Sequence, residues 1–65
     1  MKTEYYVESG RIAGGRRSIH RLVFGKIKDA RRYYRMIYCG QPIRILEAHD
    51  NYPVYVLDSA YWNYL

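Results

Sequence analysis

The residue types able to move protons or attack an electrophile are few in this chain. The candidates are His20, His49, Ser9, Ser18, Cys39 and the acids Glu4, Glu8, Glu47, Asp50 and Asp58. A nucleophile needs a base within hydrogen-bond reach. Only Ser9 and His20 are brought near one another by the register derived below, and no Gly-x-Ser-x-Gly elbow surrounds either serine. The carboxylates fall at ordinary strand-face and turn positions. Two histidines and one cysteine, scattered along the chain, do not offer the converging ligands of a metal site, so neither metal nor cofactor is expected. The run Gly10-Arg11-Ile12-Ala13-Gly14-Gly15 lacks the Gly-Lys-Ser/Thr ending of a phosphate loop and no helix begins there. A chain of 65 residues also has little material with which to enclose a substrate pocket. The expectation is a protein without catalysis.

Charge and aromatic rings carry the stronger signal. Residues 10–44 hold ten Lys/Arg against Asp29 alone, a local balance of +9; the remainder holds Lys2 against five acids, a balance of −4. Eight of the eleven cations are arginine, the side chain suited to bidentate contacts with phosphate or carboxylate and to stacking on rings. Arg16, Arg17 and Arg21 in the N-terminal half, with Lys28, Arg31, Arg32 and Arg35 further on, would form one patch if the hairpin tip folds beside the helix. Such a patch attracts a phosphate backbone or an acidic protein surface; the plainer reading is a solvated flank whose stems cover core edges. Nine tyrosines add to this. Tyr5, Tyr34 and Tyr38 sit at periodic, core-facing positions. Tyr6, Tyr33, Tyr55, Tyr61 and Tyr64, with Trp62, are candidates for exposure, and Tyr, Trp and Arg are the residues most enriched at binding hot spots.

The elements that must position these groups follow from spacing. Gly14-Gly15 is a two-residue hairpin loop, because a tight turn there requires positive φ. That turn pairs residues whose numbers sum to 29: Val7 meets Leu22, Tyr5 meets Phe24, Glu8 meets Arg21 and His20 meets Ser9. A slip of one residue would lose this agreement. Lys26 to Cys39 reads as a helix with an apolar stripe of Ile27, Ala30, Tyr34, Ile37 and Tyr38. Lys28, Arg31, Arg32 and Arg35 gather on one flank, Tyr33 and Met36 on the other. Gly40 is placed at C′ and Pro42 stops the helix. Pro42 to Ala48 and Tyr52 to Asp58 read as strands around His49-Asp50-Asn51, with Pro53 at a strand start or an edge. Residues 59–65 form either a short helix capped by Asp58 or Ser59, or a last strand. The predicted fold class is α+β: an antiparallel sheet of four or five strands in the order β-β-α-β-β, with one helix on a face.

Size confines this to a single domain over 1–65 with a thin core. A lone Cys39 excludes an internal disulfide and fits a reducing, cytoplasmic setting. The longest uncharged apolar run, Tyr52 to Leu57, is far too short to span a membrane, so no membrane partner is expected.

The layout resembles that of small phage-encoded anti-CRISPR proteins, inhibitors of type I systems. A Met-Lys start leads into an aromatic strand, Tyr5-Tyr6-Val7. A second strand precedes one helix with an Ala-basic-basic step, Ala30-Arg31-Arg32. An Arg-Ile-x-Glu strand follows, Arg44-Ile45-Leu46-Glu47, then an aromatic strand and a tail with Trp62. The likeness is one of arrangement along the whole chain; the basic tip from Arg11 to Arg17 lies outside it. It implies a non-enzymatic inhibitor that plugs a nucleic-acid-binding surface of a host defence complex.

The expected function is therefore stoichiometric binding to a host protein complex, of which a CRISPR effector is one example. Arg16, Arg17, Arg21, Lys28, Arg31, Arg32 and Arg35 would supply charge contacts, and Tyr6, Tyr33 and Trp62 aromatic anchors. Two other readings stand beside it. One is direct nucleic-acid binding by the helix flank and the tip. The other is a structural homo-oligomer joined through exposed tyrosines.

Overall fold

Gly14 and Gly15 take φ of 59° and 76°, the left-handed conformation that closes a hairpin whose twist matches its strands. In the computed structural model, which describes all 65 residues except the side chain of Tyr64, this turn joins β1 (Thr3–Ala13) to β2 (Arg16–Phe24). Their register is the predicted one throughout, with Tyr5 opposite Phe24, Val7 opposite Leu22 and Glu8 opposite Arg21. Helix α1 (Ile27–Ile37) follows, then β3 (Ile43–His49) and β4 (Tyr52–Ala60). Asp50 and Asn51 turn between them with φ of 52° and 68°, conformations that Asn and Asp tolerate better than other side chains. Asp50 also ties this turn to the start of the chain. Its N–H donates to the Lys2 carbonyl at 2.8 Å, and its carboxylate accepts from the Lys2 N–H at 2.9 Å.

The four strands form one antiparallel sheet in the order β2-β1-β3-β4. The fold is α+β, with the helix packed on the sheet, as the patterning predicted. β1 and β3 are central. β4 is an edge, which is where Pro53 can lie without costing a ladder bond. Twice the β3–β4 register shifts, between Ile45 and Leu46 and between Glu47 and Ala48; Leu57 and Val54 are the extra residues. Leu57 turns inward at its bulge and packs on the helix-side core.

Two small cores sit on opposite faces of the sheet. Beneath α1, Val7, Ala30, Ile43 and Ile45 are buried, with Tyr5, Phe24, Tyr33, Tyr34, Ile37 and Leu57 around them. Full burial of an Ile or Val side chain contributes roughly 2 kcal/mol, so a few such residues carry much of the stability of a sheet this small. On the other face Tyr6, Leu46 and Ala48 form a second cluster with no helix over it. Tyr6 is 4% exposed, so its expected exposure is corrected. β1 has a hydrogen-bonded neighbour on both sides, and the Arg21 guanidinium lies 4.6 Å above the Tyr6 ring as its cover.

The helix is shorter than the predicted Lys26–Cys39. Tyr38 leaves it with φ −67° and ψ 111°, and Gly40, at φ 82°, lies beyond the C′ position expected for it. Tyr38 is therefore not a core residue: it is 48% exposed. Its hydroxyl instead hydrogen-bonds with that of Tyr61, and this bond holds the Tyr38 proton above its ordinary titration range. The ring of Tyr38 also stands 6.1 Å from Tyr34 and 6.3 Å from Tyr61. Burial, aided by the Asp58 carboxylate, raises the Tyr34 hydroxyl in the same way.

The tail settles as a 3-10 turn, Trp62–Tyr64. Asp58 and Ser59 do not cap it, because β4 continues through both to pair Ser59 with Arg44 and Ala60 with Ile43. The reversal falls on Tyr61 at φ 58°. From there the chain folds back over the sheet face opposite α1. Trp62 stacks on the Arg44 guanidinium at 4.2 Å. Leu65 lies over Gly10, where an added Cβ would come within 2.5 Å of its side chain. Arg17 donates to the Leu65 carbonyl.

Candidate functional site

Strand parity decides where each cation points. In β2 the residues paired with Tyr6 and Glu8 are Val23 and Arg21, so these, with Ile19 and Arg17, share the face opposite the helix. Arg16, Ser18, His20, Leu22 and Phe24 share the helix-bearing face. The seven predicted cations therefore do not form one patch. Arg17 and Arg21 lie on one side of the sheet, and the helix cations and Arg16 on the other.

The cations opposite the helix are committed to the fold. Glu8 is 2% exposed and accepts from both sides. Arg21 donates to its Oε2 from Nε at 2.7 Å and approaches it with Nη2 at 2.6 Å; Arg44 donates to its Oε1 from Nε at 2.7 Å. The cross-strand row Arg21–Glu8–Arg44 thus places one acid between two guanidinium groups. Tyr6 underlies the first and Trp62 stacks on the second. Arg44 was absent from the predicted site. Its alignment with Glu8 depends on the β1–β3 register, which the sequence alone leaves open because the two strands are joined through a helix. Trp62 remains half-buried on Arg44, with Arg17, Ile19 and Leu65 beside it around an open depression of 570 Å3.

The helix cations present the contrary case. Lys28, Arg31, Arg32 and Arg35 are all exposed. Among the described residues none of them has an ion-pair or hydrogen-bond partner. The acids elsewhere are engaged: Glu4 with Lys2, Glu8 with two arginines, Glu47 with His49 at 2.6 Å, and Asp50 and Asp58 with backbone N–H groups. Asp29 is the one acid on α1, so the four cations of the helix are offset only in part from within. Lys28, Arg32 and Arg35 line a surface depression of 480 Å3 together with Met36, which is 74% exposed and stands beside the cations, not on the opposite flank expected for it, because it follows Arg32 by one helical turn. Spacings of three and four residues bring these side chains onto one strip of an 11-residue helix, about 16 Å long.

Tyr33, expected on a free flank, is half-buried against the helix-side core, its ring 5.5 Å from Phe24. Ala30, Tyr33, Tyr34 and Ile37 form an i, i+3, i+4, i+7 series. A sheet broad enough to meet a wide stripe takes in Tyr33 as well as Tyr34. Tyr55 and Tyr61 are exposed, as expected, and the side chain of Tyr64 lies outside the described residues. His20 and Ser9 do face each other across the hairpin. Among the described residues no three His, Cys, Asp or Glu side chains converge as metal ligands, and no helix is long and apolar enough to cross a membrane.

Compared with protein families, curated proteins and solved structures, the chain matches none.

Proposed function

We propose that this protein acts by stoichiometric binding without chemistry, as an inhibitor of a nucleic-acid-handling host complex. It would seat the basic strip of α1 on an acidic protein surface of that complex. One observation carries this reading: Lys28, Arg32 and Arg35 surround a common depression and have no partner among the described residues. A strip of cations carries the charge of a nucleic-acid-binding protein and the opposite of nucleic acid, so it would meet an acidic surface of the complex and not its phosphate-binding groove. Charge complementarity of this kind speeds association. Met36 favours a protein partner over a nucleic-acid backbone. An exposed thioether among arginines is an apolar anchor, and Met and Arg are both enriched in protein interfaces. Arg17 and Arg21 no longer belong to this contact surface, since both are engaged on the other side of the sheet.

The test is capture from host lysate by the tagged protein, with and without nuclease, alongside the double variant Arg32→Glu/Arg35→Glu. A nucleic-acid-handling complex retained after nuclease, blocked in its own nucleic-acid binding and lost with the double variant, is the expected result. Both positions are exposed on the helix, so the variant should keep the wild-type circular dichroism spectrum. Retention that vanishes with nuclease replaces this reading with direct nucleic-acid binding. Unchanged retention by the folded double variant removes the helix strip from the interface.

A further inference from the structure

Beyond the end of α1 the hairpin carries a second group of uncommitted polar side chains, and it differs in kind from the helix strip. Ser9, Arg11, Ser18, His20 and Gln41 line a depression of 320 Å3, with Gly10 at its floor. Its construction follows from the register. Ser9 pairs with His20 and Arg11 with Ser18, so four polar side chains occupy two adjacent cross-strand rows on the helix-bearing face. Side chains in such rows stand about 5 Å apart across the strands and about 7 Å apart along them, close enough to reach one small ligand together. Gln41 enters from the segment between α1 and β3, which is fixed there because the Gly10 N–H donates to the Pro42 carbonyl at 2.8 Å.

We infer that this cradle is a binding site for a tetrahedral oxyanion, and specifically for a phosphoryl group. Every side chain lining it can donate a hydrogen bond, and no carboxylate lines it. A cation would meet the Arg11 charge; an anion meets its guanidinium fork, two hydroxyls, an amide and an imidazole. None of these five side chains has a hydrogen-bond or ion-pair partner among the described residues. That distinguishes Arg11 from Arg17 and Arg21, whose donors the fold already uses. Planar guanidinium geometry with hydroxyl donors around it suits the oxygens of a phosphoryl group, to which Arg binds bidentately. Arg11, Ser18 and His20 are exposed, so the affinity should be modest and should fall with salt.

The experiment is a titration of the 15N-labelled protein with inorganic phosphate, followed by amide shifts at constant ionic strength. The site predicts saturable shifts concentrated at Gly10, Arg11, Ser18, His20 and Gln41. Arg11→Gln, at an exposed position, should weaken them at least tenfold. Arg16→Gln, at the hairpin tip but outside the cradle, should leave them within twofold of wild type. Methyl phosphate and dimethyl phosphate then distinguish a phosphomonoester from a phosphodiester source. Tighter saturation with either supports the site and assigns its ligand. Shifts that grow linearly without saturation, that spread equally over the α1 cations, or that persist in Arg11→Gln overturn it. The Arg32→Glu/Arg35→Glu variant should bind phosphate as wild type does, so this site and the proposed helix interface fail separately.

Discussion

At the scale of single residues, the informative group is Glu8. Placing a carboxylate in the sheet interior takes it out of water, a cost that good geometry and full hydrogen bonding must offset. Here three charge-assisted contacts of 2.6–2.7 Å do so. Two arginines depend on one acid, so the acid is the keystone. Glu8→Ala should destabilise the fold by about 2 kcal/mol, below the figure for fully buried pairs because both guanidinium groups still reach water. Arg44→Met should cost more than Arg21→Met, since the Arg44 side chain is 29% exposed against 49% and also carries Trp62. Urea denaturation of the three variants checks the ranking; equal losses for all three would show that Glu8 is not the shared element. Half of this row was legible in the sequence. The hairpin arithmetic set Glu8 against Arg21, but nothing local specifies that Arg44 arrives from the other side. Tyr6 was misread for the same reason: alternation along a strand assigns faces, and whether a face is wet depends on what distant chain covers it.

At the scale of elements, local rules succeeded where the determinants were local. The Gly14-Gly15 turn set the register of a whole hairpin, and the α1 stripe and the edge position of Pro53 followed from spacing and from a missing N–H. The ends of elements were less legible. Tyr38 was counted into the helix because its spacing suits the stripe, yet the chain departs there and spends the ring on Tyr61 instead. The tail was undecided because its partners, Gly10, Arg17 and Arg44, lie in three different strands. Its docking can be tested through Gly10. A methyl group at that position meets the end of the Leu65 side chain, not rigid backbone, so Gly10→Ala should lift the tail while the sheet survives. The expected result is a red-shifted and more readily quenched emission from Trp62, the single tryptophan, with a stability loss of about 1 kcal/mol. An unchanged emission spectrum would mean that Leu65 does not hold the tail down.

At the scale of the whole molecule, the layers divide the charge into two kinds: guanidinium groups neutralised within the fold opposite the helix, and cations left to solvent on α1. That division, and not the net charge of +5, limits where an acidic partner can dock. The edge strands are also unlike. β2 carries Arg16, Arg17 and Arg21, whereas β4 exposes Tyr52, Tyr55 and Val56. An exposed edge whose one charge is Asp58 invites pairing between copies, but Pro53 and two bulges interrupt the row of free backbone groups that pairing needs. The protein should therefore sediment as a monomer at high micromolar concentration, and a concentration-independent dimer would show that the tyrosines of β4 form a subunit interface. The strand order has one more consequence, and it concerns time. Each half of the sheet is a hairpin closed by a two-residue turn, which forms in microseconds. The β1–β3 seam joins segments far apart in sequence, and only there do the two hairpins and the helix bury their shared core. Loop closure must precede that reward. Zipping of β1 to β3 is then the slow step of folding, and its amides, once formed, are the last to exchange with solvent.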